Sequence, residues 1–260
     1  MGARAYVINL DRSPERLRHM RAEAARAGLD FERISGVDGE ALSAAEQDRY
    51  RAAAGPRPLT AGEIGCWLSH QRFWRAVADG AAPWGLVLED DVALSADLPA
   101  ALAAVDQIPP GADIVKIDTS LSVPVEFDRP ATPFAGRALH RLRRNSWGTA
   151  GYLVSRRAAG WLLEHARAVE APIDVHLFSH RSSLFPALTT YVLDPALVVQ
   201  EQHLARRAGR PDALGSVITL RQQARADASR GIGHRVAREI GRVGEQIRGA
   251  FAYRRRIDWR

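Results

Sequence analysis

The sequence predicts an α/β fold in which an open sheet is flanked by helices. Three observations carry this prediction. Apolar, strand-like runs occupy residues 5–10, 85–88 and 151–154. The first and third lead into the start of a helical pattern, and the second ends in three consecutive carboxylates. Strands that alternate with helices favour a largely parallel sheet, which binds ligands at the carboxyl ends of its strands.

The first strand is followed by a turn suited to a nucleotide phosphate. Ser13 and Pro14 are typical of the N-cap and first turn of a helix. In a Rossmann-like sheet, the turn before such a helix places backbone N–H groups beside a phosphate. The residues that would line this turn are Asn9, Asp11 and Arg12. A solvated turn without a ligand fits the same stretch equally well.

A long helix is predicted to begin after residue 60, because Thr60 and Glu63 have the spacing of a capping box. Ser69 and His70 fall in the middle of this helix. A single histidine on a helix is more often a packed residue than a ligand, so spacing alone favours a packing role. We expect Cys66, the one cysteine of the chain, to be buried here.

The carboxylates Glu89, Asp90 and Asp91 directly follow the apolar run of residues 85–88. Unpaired carboxylates are costly to bury, so we expect the cluster to lie where the strand meets a cleft. Three acidic side chains there can hold a hard divalent cation and leave coordination positions for phosphate and water. The alternative is an acidic turn exposed to solvent.

Two further carboxylates lie near predicted element boundaries. Asp118 follows an apolar run and lies two residues after Lys116, the one lysine of the chain. Asp174 follows Pro172 and an irregular entry into an apolar segment. Both positions suit a catalytic carboxylate, and both also suit an N-cap or a strand-end turn.

The other segments of the chain carry weaker patterns. Residues 98–105 predict a helix, and Ser155 is typical of the N-cap of another. Residues 121–144 are rich in proline and arginine with weak periodicity, which favours irregular structure or a short hairpin rather than core. Residues 190–199 predict a last pair of apolar segments before a polar cluster that contains His203.

Length and composition limit the class of protein. With 260 residues, of which 46% are hydrophobic and 25% charged, the chain suffices for one large domain or two small ones. One cysteine excludes an internal disulfide and a cysteine-built zinc site. No apolar stretch approaches the ~20 residues of a membrane span, and residues 1–13 lack the apolar core of a signal peptide. We therefore expect a cytoplasmic protein.

The positive charge is concentrated in the C-terminal tail. Residues 221–260 contain eleven arginines and four acidic residues, so their net charge of +7 exceeds the +6 of the whole chain. Apolar residues recur there at steps of three and four, which predicts a basic amphipathic helix. They are Ile232, Val236, Ile240, Val243, Ile247 and Phe251. Such a helix can bind an anionic membrane surface, pack on the protein or form a dimer, whereas nucleic-acid binding is not expected.

Six motifs follow one another within a resemblance that spans about residues 4–220, namely VINLDRSPER, FERISGVDG, LTAGEIGCWLSH, LVLEDDV, GTAGYLVS and PIDV. In this order they resemble glycosyltransferase family 25, the lipooligosaccharide galactosyltransferase group. The resemblance implies a single-domain GT-A type fold over residues 1–220, with the tail at 221–260 outside it. It also implies transfer of a hexose, usually galactose from UDP-galactose, to a saccharide or glycolipid acceptor with metal assistance.

The resemblance implies roles for the candidate residues. Glu89 and Asp91 would bind Mn²⁺ or Mg²⁺ as a variant of the Asp-x-Asp site, and we add His203 as a third ligand. The nucleotide end of the UDP-sugar would contact Asn9, Asp11, Arg12 and Asp90. The wall of the donor pocket would contain Glu63, Ser69 and His70.

The acceptor needs a base, because inversion at the anomeric carbon requires a carboxylate that takes the proton of the attacking hydroxyl. Asp174 is the first candidate, since it follows the pocket-forming GTAGY segment, and Asp118 is the second. A metal-dependent phosphodiesterase is an alternative function, with Asp118 and His203 as further ligands. A saccharide-binding module without turnover is another.

Overall fold

The computed structural model describes residues 2–54, 58–212, 214 and 252–260. Helices in this part of the chain are α1 (Pro14–Ala27), α2 (Ala44–Ala53), α3 (Ala61–Asp79), α4 (Leu98–Ala103), α5 (Arg156–His165), α6 (Ile173–Phe178) and α7 (Glu201–Arg207). None of these described helices is long and apolar enough to cross a membrane.

The strands form two sheets. In chain order they are β1 (Arg4–Asn9), β2 (Glu32–Ser35), β3 (Trp84–Glu89), β4 (Val92–Leu94), β5 (Ile114–Lys116), β6 (Asp118–Thr119), β7 (Val125–Phe134), β8 (Arg137–Leu142), β9 (Gly151–Ser155), β10 (Thr190–Asp194), β11 (Val198–Gln200) and β12 (Ala252–Arg255). The large sheet has the order β12-β7-β8-β10-β5-β9-β3-β1-β2, and the small one has the order β4-β11-β6.

The large sheet is mixed. Strand β1 pairs in parallel with β2 and β3, and β10 pairs in parallel with β5. Strand β9 lies antiparallel between β3 and β5, so those two strands run in the same direction. The carboxyl ends of β1, β3, β5 and β10 therefore meet at one edge. The predicted α/β class, a mixed sheet flanked by helices, is confirmed.

Alternate residues of the central strands enter two separate cores. Tyr6, Val87 and Tyr152 pack in the cluster that contains the buried face of α3. Val7 and Leu88, their neighbours along β1 and β3, pack in the cluster on the other face. Because both faces are covered, these strands read as continuous apolar runs in the sequence.

Helix α3 begins as predicted. The Thr60 hydroxyl accepts a hydrogen bond from the backbone N–H of Glu63 at 3.2 Å, and the Glu63 carboxylate accepts one from the N–H of Thr60 at 2.8 Å. These bonds satisfy donors that the first helical turn would otherwise leave unpaired. The capping box thereby fixes the position of the helix that carries Cys66 and His70.

Residues 121–144 contain a hairpin, one of the two predicted alternatives, but the expectation that they lie outside the core is wrong. They form the β7–β8 hairpin, which joins the large sheet and contributes Phe127 and Phe134 to the core. The turn consists of Ala135 and Gly136, whose φ angles of 48° and 73° are typical of a two-residue hairpin loop. The apolar residues of β7 lie far apart and its prolines are exposed, so its sequence shows no buried run.

The C-terminal residues also correct the prediction, because residues 252–260 pack on the domain instead of extending a helical tail. Strand β12 pairs antiparallel with β7. Ile257 is buried, and its carbonyl oxygen accepts a hydrogen bond from the Thr119 hydroxyl at 2.8 Å. The predicted amphipathic face from Ile232 to Phe251 lies outside the described residues.

Candidate active site

The small sheet brings the acidic triplet beside two other chain segments. Strand β11 pairs with β4 and places Gln200 opposite Val92, the residue after Asp91. The same strand pairs in parallel with β6, which begins at Asp118. The end of β3, the start of β6 and the end of β11 therefore converge, and each contributes a polar side chain.

Glu89 and Asp91 share one amide group. The Gln200 Nε2 atom donates to Glu89 Oε2 at 3.2 Å and to Asp91 Oδ1 at 3.3 Å. The Thr149 hydroxyl donates to the other Glu89 oxygen at 2.8 Å. Burial and the neighbouring charge of Asp91 raise the pKa of Glu89 to about 8. Burial also raises the pKa of Asp91.

Asp90 has different partners. Asn9 Nδ2 donates to Asp90 Oδ2 at 2.8 Å, and Arg16 Nη1 donates to Asp90 Oδ1 at 2.6 Å. The second Arg16 nitrogen donates to Asp91 Oδ2 at 3.2 Å. Arg16 was missed in the sequence, although it shares a helix face with the buried Met20 of α1. A charged residue on an otherwise apolar face is the signal that could have found it.

The two base candidates, Asp174 and Asp118, bind different residues of one short segment. The backbone N–H of Gly148 donates to Asp174 Oδ2 at 3.1 Å, and the N–H of Ala150 donates to Asp118 Oδ2 at 3.2 Å. Lys116 Nζ donates to Asp118 Oδ1 at 2.5 Å and to the Gly148 carbonyl at 2.6 Å. Since Thr149 also binds Glu89, residues 148–150 connect both base candidates to the acidic cluster.

Asp118 and Asp174 differ in accessibility. Asp118 is buried and ion-paired with Lys116, and burial raises the pKa of its carboxyl against the opposing effect of that lysine. Asp174 is partly exposed on α6. Gly148 between them has a φ of +81°, a conformation that favours glycine.

Comparison with known proteins identifies the family. Residues 3–177 match the model described as "Glycosyltransferase family 25 (LPS biosynthesis protein)". The chain belongs to glycosyltransferase family 25. The family and the enzyme class predicted from the motifs are thus confirmed, and the protein is a glycosyltransferase.

Relatives of this family 25 chain include proteins from two bacterial genera. It is 28% identical over 257 residues to "Lacto-N-neotetraose biosynthesis glycosyltransferase LgtB" of Neisseria meningitidis serogroup B, covering 93% of each chain. It is 25% identical over 208 residues to "Lipooligosaccharide biosynthesis protein lic2B" of Haemophilus influenzae, covering 76% of each chain.

The predicted turn of the family 25 domain is joined to the acidic cluster through Asn9. The Asn9 Oδ1 atom accepts from Arg33 Nε at 3.1 Å, and Arg33 also binds Asp11. Arg12 lies farther along the turn and pairs with Asp38 at 2.5 Å. Asp11 and Arg12 are exposed, whereas Asn9 is buried.

The predicted residues of α3 are engaged in the interior. The Ser69 hydroxyl donates to the Gly65 carbonyl at 2.6 Å and accepts from the N–H of Val37 at 2.8 Å. The Glu63 carboxylate accepts the hydrogen bond from the N–H of Thr60 in the capping box. These contacts hold the loop after β2 against α3. The assignment of Glu63 and Ser69 to the donor pocket stays a prediction.

His70 lies beside the acidic cluster. Histidine, cysteine, aspartate and glutamate side chains can bind a metal ion. Among the described residues, one group of three of them has its ligating atoms all within 4.8 Å of one another, and it consists of Cys66, His70 and Glu89. His70 Nδ1 is hydrogen-bonded to the Tyr152 hydroxyl at 2.9 Å, and burial lowers the pKa of His70 to about 3. Burial also raises the pKa of the Cys66 thiol.

His203 lines a separate cavity and is not part of that group of three. Burial and the positive charges of Arg206 and Lys116 lower the pKa of His203. The same charges oppose a divalent cation at this imidazole. Its predicted role as a metal ligand therefore lacks support in the charges around it.

Proposed function

We propose that this chain transfers galactose from UDP-galactose to a saccharide acceptor of lipopolysaccharide or lipooligosaccharide, with inversion and with help from a divalent metal. The names of two relatives refer to the biosynthesis of lacto-N-neotetraose and of lipooligosaccharide. The observation that carries the proposal is the convergence of Glu89, Asp118 and Asp174 on residues 148–150. Metal, donor and base functions then lie within one site.

Glu89 and Asp91 fit a divalent cation. Asp91 is buried and Glu89 is half-buried, the pKa of each carboxyl is raised, and one amide bridges them. Carboxylate oxygens suit Mn²⁺ and Mg²⁺. A bound cation would neutralise the diphosphate leaving group. Asp90 has a further partner in Asn9, and this bond supports the nucleotide-binding turn.

Asp174 is the better base of the two carboxylates. Asp118 is held by Lys116 and by the N–H of Ala150, and its side chain is almost inaccessible to an acceptor. Asp174 accepts backbone N–H bonds from Gly148 and Val175, which orient the carboxylate, and it remains partly exposed. It can therefore take the proton of an acceptor hydroxyl as that oxygen attacks the anomeric carbon.

Trp147 supplies a surface for the acceptor sugar. Its side chain is 43% exposed, although it directly precedes the Gly148 that binds Asp174. The segment is fixed, because the N–H of Ser146 donates to the Phe178 carbonyl at the end of α6. An exposed aromatic face on the residue before Gly148 can cover the apolar face of a pyranose ring.

Replacing Trp147 by alanine is expected to raise the KM for the acceptor about tenfold, because one aromatic contact surface is lost. The KM for the donor should be unchanged. Trp147→Phe should keep most of the affinity and serves as the control. Because the side chain is exposed, the melting temperature should stay constant. An unchanged acceptor KM in the alanine variant would remove Trp147 from the acceptor site.

The proposed reaction is tested with a panel of nucleotide-sugars. Donor hydrolysis and transfer to a panel of saccharide acceptors are measured with each UDP-, GDP- and CMP-sugar, with and without Mn²⁺. The proposal requires that UDP-galactose gives the highest rate and that Mn²⁺ increases it. Phosphodiester cleavage without sugar transfer would favour the phosphodiesterase alternative.

We propose that the basic tail binds an anionic membrane surface, where a lipid-linked acceptor is found. Four arginines alternate with its apolar positions, at Arg235, Arg238, Arg242 and Arg248. Changing these four to glutamine in the full chain should abolish salt-sensitive binding to phosphatidylglycerol vesicles and leave activity on a soluble acceptor intact. Vesicle binding equal to that of the parent would contradict the proposal.

A further inference from the structure

A cavity of about 560 Å³ lies between α7, the loop after β6 and the C-terminal residues. Its polar lining includes Ser120, His203, Arg206, Arg207, Arg256 and Asp258. Cavities of roughly 300–1,000 Å³ are of the size that holds small ligands. The family model ends at residue 177, so it contains neither α7 nor the C-terminal segment.

The cavity contains more positive charge than the residues around it neutralise. Arg207 pairs with Asp258 at 3.2 Å. Arg206 and Arg256, in contrast, form no ion pair with any residue in the described part of the chain. The His203 Nδ1 atom is buried and lacks a hydrogen-bond partner there. Within the described residues, the cavity thus contains two guanidinium groups without an ion pair and one imidazole nitrogen without a hydrogen bond.

The cavity adjoins the candidate active site along two chain segments. Ser120 follows Asp118 and Thr119 of β6, and α7 directly follows Gln200, which binds Glu89 and Asp91. The charge of Lys116, the partner of Asp118, also acts on His203. A ligand in the cavity is therefore close to the acidic cluster.

The loop that forms one wall is held in a costly conformation. Leu121 has a φ of 59°, which is uncommon for a residue with a branched side chain. Its N–H donates to the Thr119 hydroxyl at 3.0 Å, and that hydroxyl donates to the Ile257 carbonyl. The C-terminal segment and the loop thus fix each other, and strained backbone of this kind is concentrated at ligand sites.

We propose that His203, Arg206 and Arg256 form a binding site for a phosphoryl group. Arginine offers a planar fork of donors that matches phosphate oxygens, and a neutral imidazole adds one donor. The phosphoryl group belongs either to the diphosphate of a nucleotide-sugar or to a phosphate on the saccharide acceptor. The first assignment rests on the proposed function, whereas the site itself does not.

The site is tested by calorimetry on the full chain in EDTA, which removes any contribution of metal at the acidic cluster. The variant is Arg206→Gln with Arg256→Gln, and the matched control is Arg210→Gln, an exposed arginine just beyond α7 that does not line the cavity. The ligands are inorganic pyrophosphate, UDP, uridine, glucose 6-phosphate and glucose. We expect the double variant to weaken binding of a phosphorylated ligand by about tenfold or more, with uridine and glucose unaffected.

Each outcome has one meaning. Weaker binding of pyrophosphate and UDP with unchanged glucose 6-phosphate assigns the site to the donor, and weaker binding of glucose 6-phosphate with unchanged UDP assigns it to the acceptor. Weaker binding of all three supports a phosphoryl site that accepts either ligand. Equal affinity of the double variant and the Arg210→Gln control for every phosphorylated ligand overturns the proposal. Because no sugar is transferred in these measurements, this failure is distinct from failure of the proposed transferase activity.

Discussion

Replacing Asp174 by asparagine is expected to lower the transfer rate by about 100- to 10,000-fold, the range that a general base contributes. The affinity for UDP should be unchanged, because removal of a base raises the barrier without weakening ground-state binding. The amide oxygen of asparagine can still accept the hydrogen bond from Gly148, so the segment that connects the site is retained. Steady-state kinetics should show a lower kcat at constant donor KM.

Asp118→Asn is the control for this experiment. Asp118 forms a buried ion pair with Lys116, so its replacement leaves that lysine without a charged partner and should destabilise the protein by about 3–5 kcal/mol. The two variants can therefore be distinguished by the free energy of unfolding as well as by the transfer rate. If Asp174→Asn keeps transfer within a few-fold of the parent while a folded Asp118→Asn variant loses it, Asp118 is the base.

The strands nearest the site could be predicted because they are covered on both faces. Val7, Leu86 and Leu88 are inaccessible to solvent, and such runs stand out in a sequence. The contribution of the β7–β8 hairpin to the core could not be predicted in this way, because the middle of β7 is exposed and separates Phe127 from Phe134. Strand β12 lies at the edge of the sheet, and its last two residues begin the run Arg254–Arg256. Its composition therefore resembles that of the preceding tail.

The candidate site could be predicted only where its residues are consecutive in the chain. Glu89, Asp90 and Asp91 were found because three adjacent carboxylates after an apolar run are conspicuous. Arg16 is 74 residues from Asp90, and Gln200 is 111 residues from Glu89. Their contacts depend on strand order, which one sequence does not specify, and glutamine has no chemistry that marks it as part of a site.

Asp91 and Asp90 provide a matched pair for the metal site, because both changes to asparagine remove one charge from neighbouring positions. Arg16 binds both carboxylates, but Asp91 also shares the Gln200 amide with Glu89, whereas Asp90 is bound by Asn9. We therefore expect Asp91→Asn to lose the increase in UDP affinity that Mn²⁺ produces, and Asp90→Asn to retain it. Calorimetry with UDP at fixed Mn²⁺ measures this difference.

The metal site should also depend on pH in a direction that Glu89 determines. Burial and the charge of Asp91 raise the pKa of Glu89 to about 8, so in the absence of metal this carboxyl holds a proton at neutral pH. A cation must displace that proton, and its affinity therefore rises with pH up to about 8 and levels off above. Between pH 6.5 and 8.5 the deprotonated fraction of Glu89, and with it the metal affinity, should rise about 25-fold. In Glu89→Gln the dependence should disappear together with most of the metal affinity. A metal affinity that is independent of pH in the parent protein, or that survives in both Asp91→Asn and Glu89→Gln, would place the cation elsewhere.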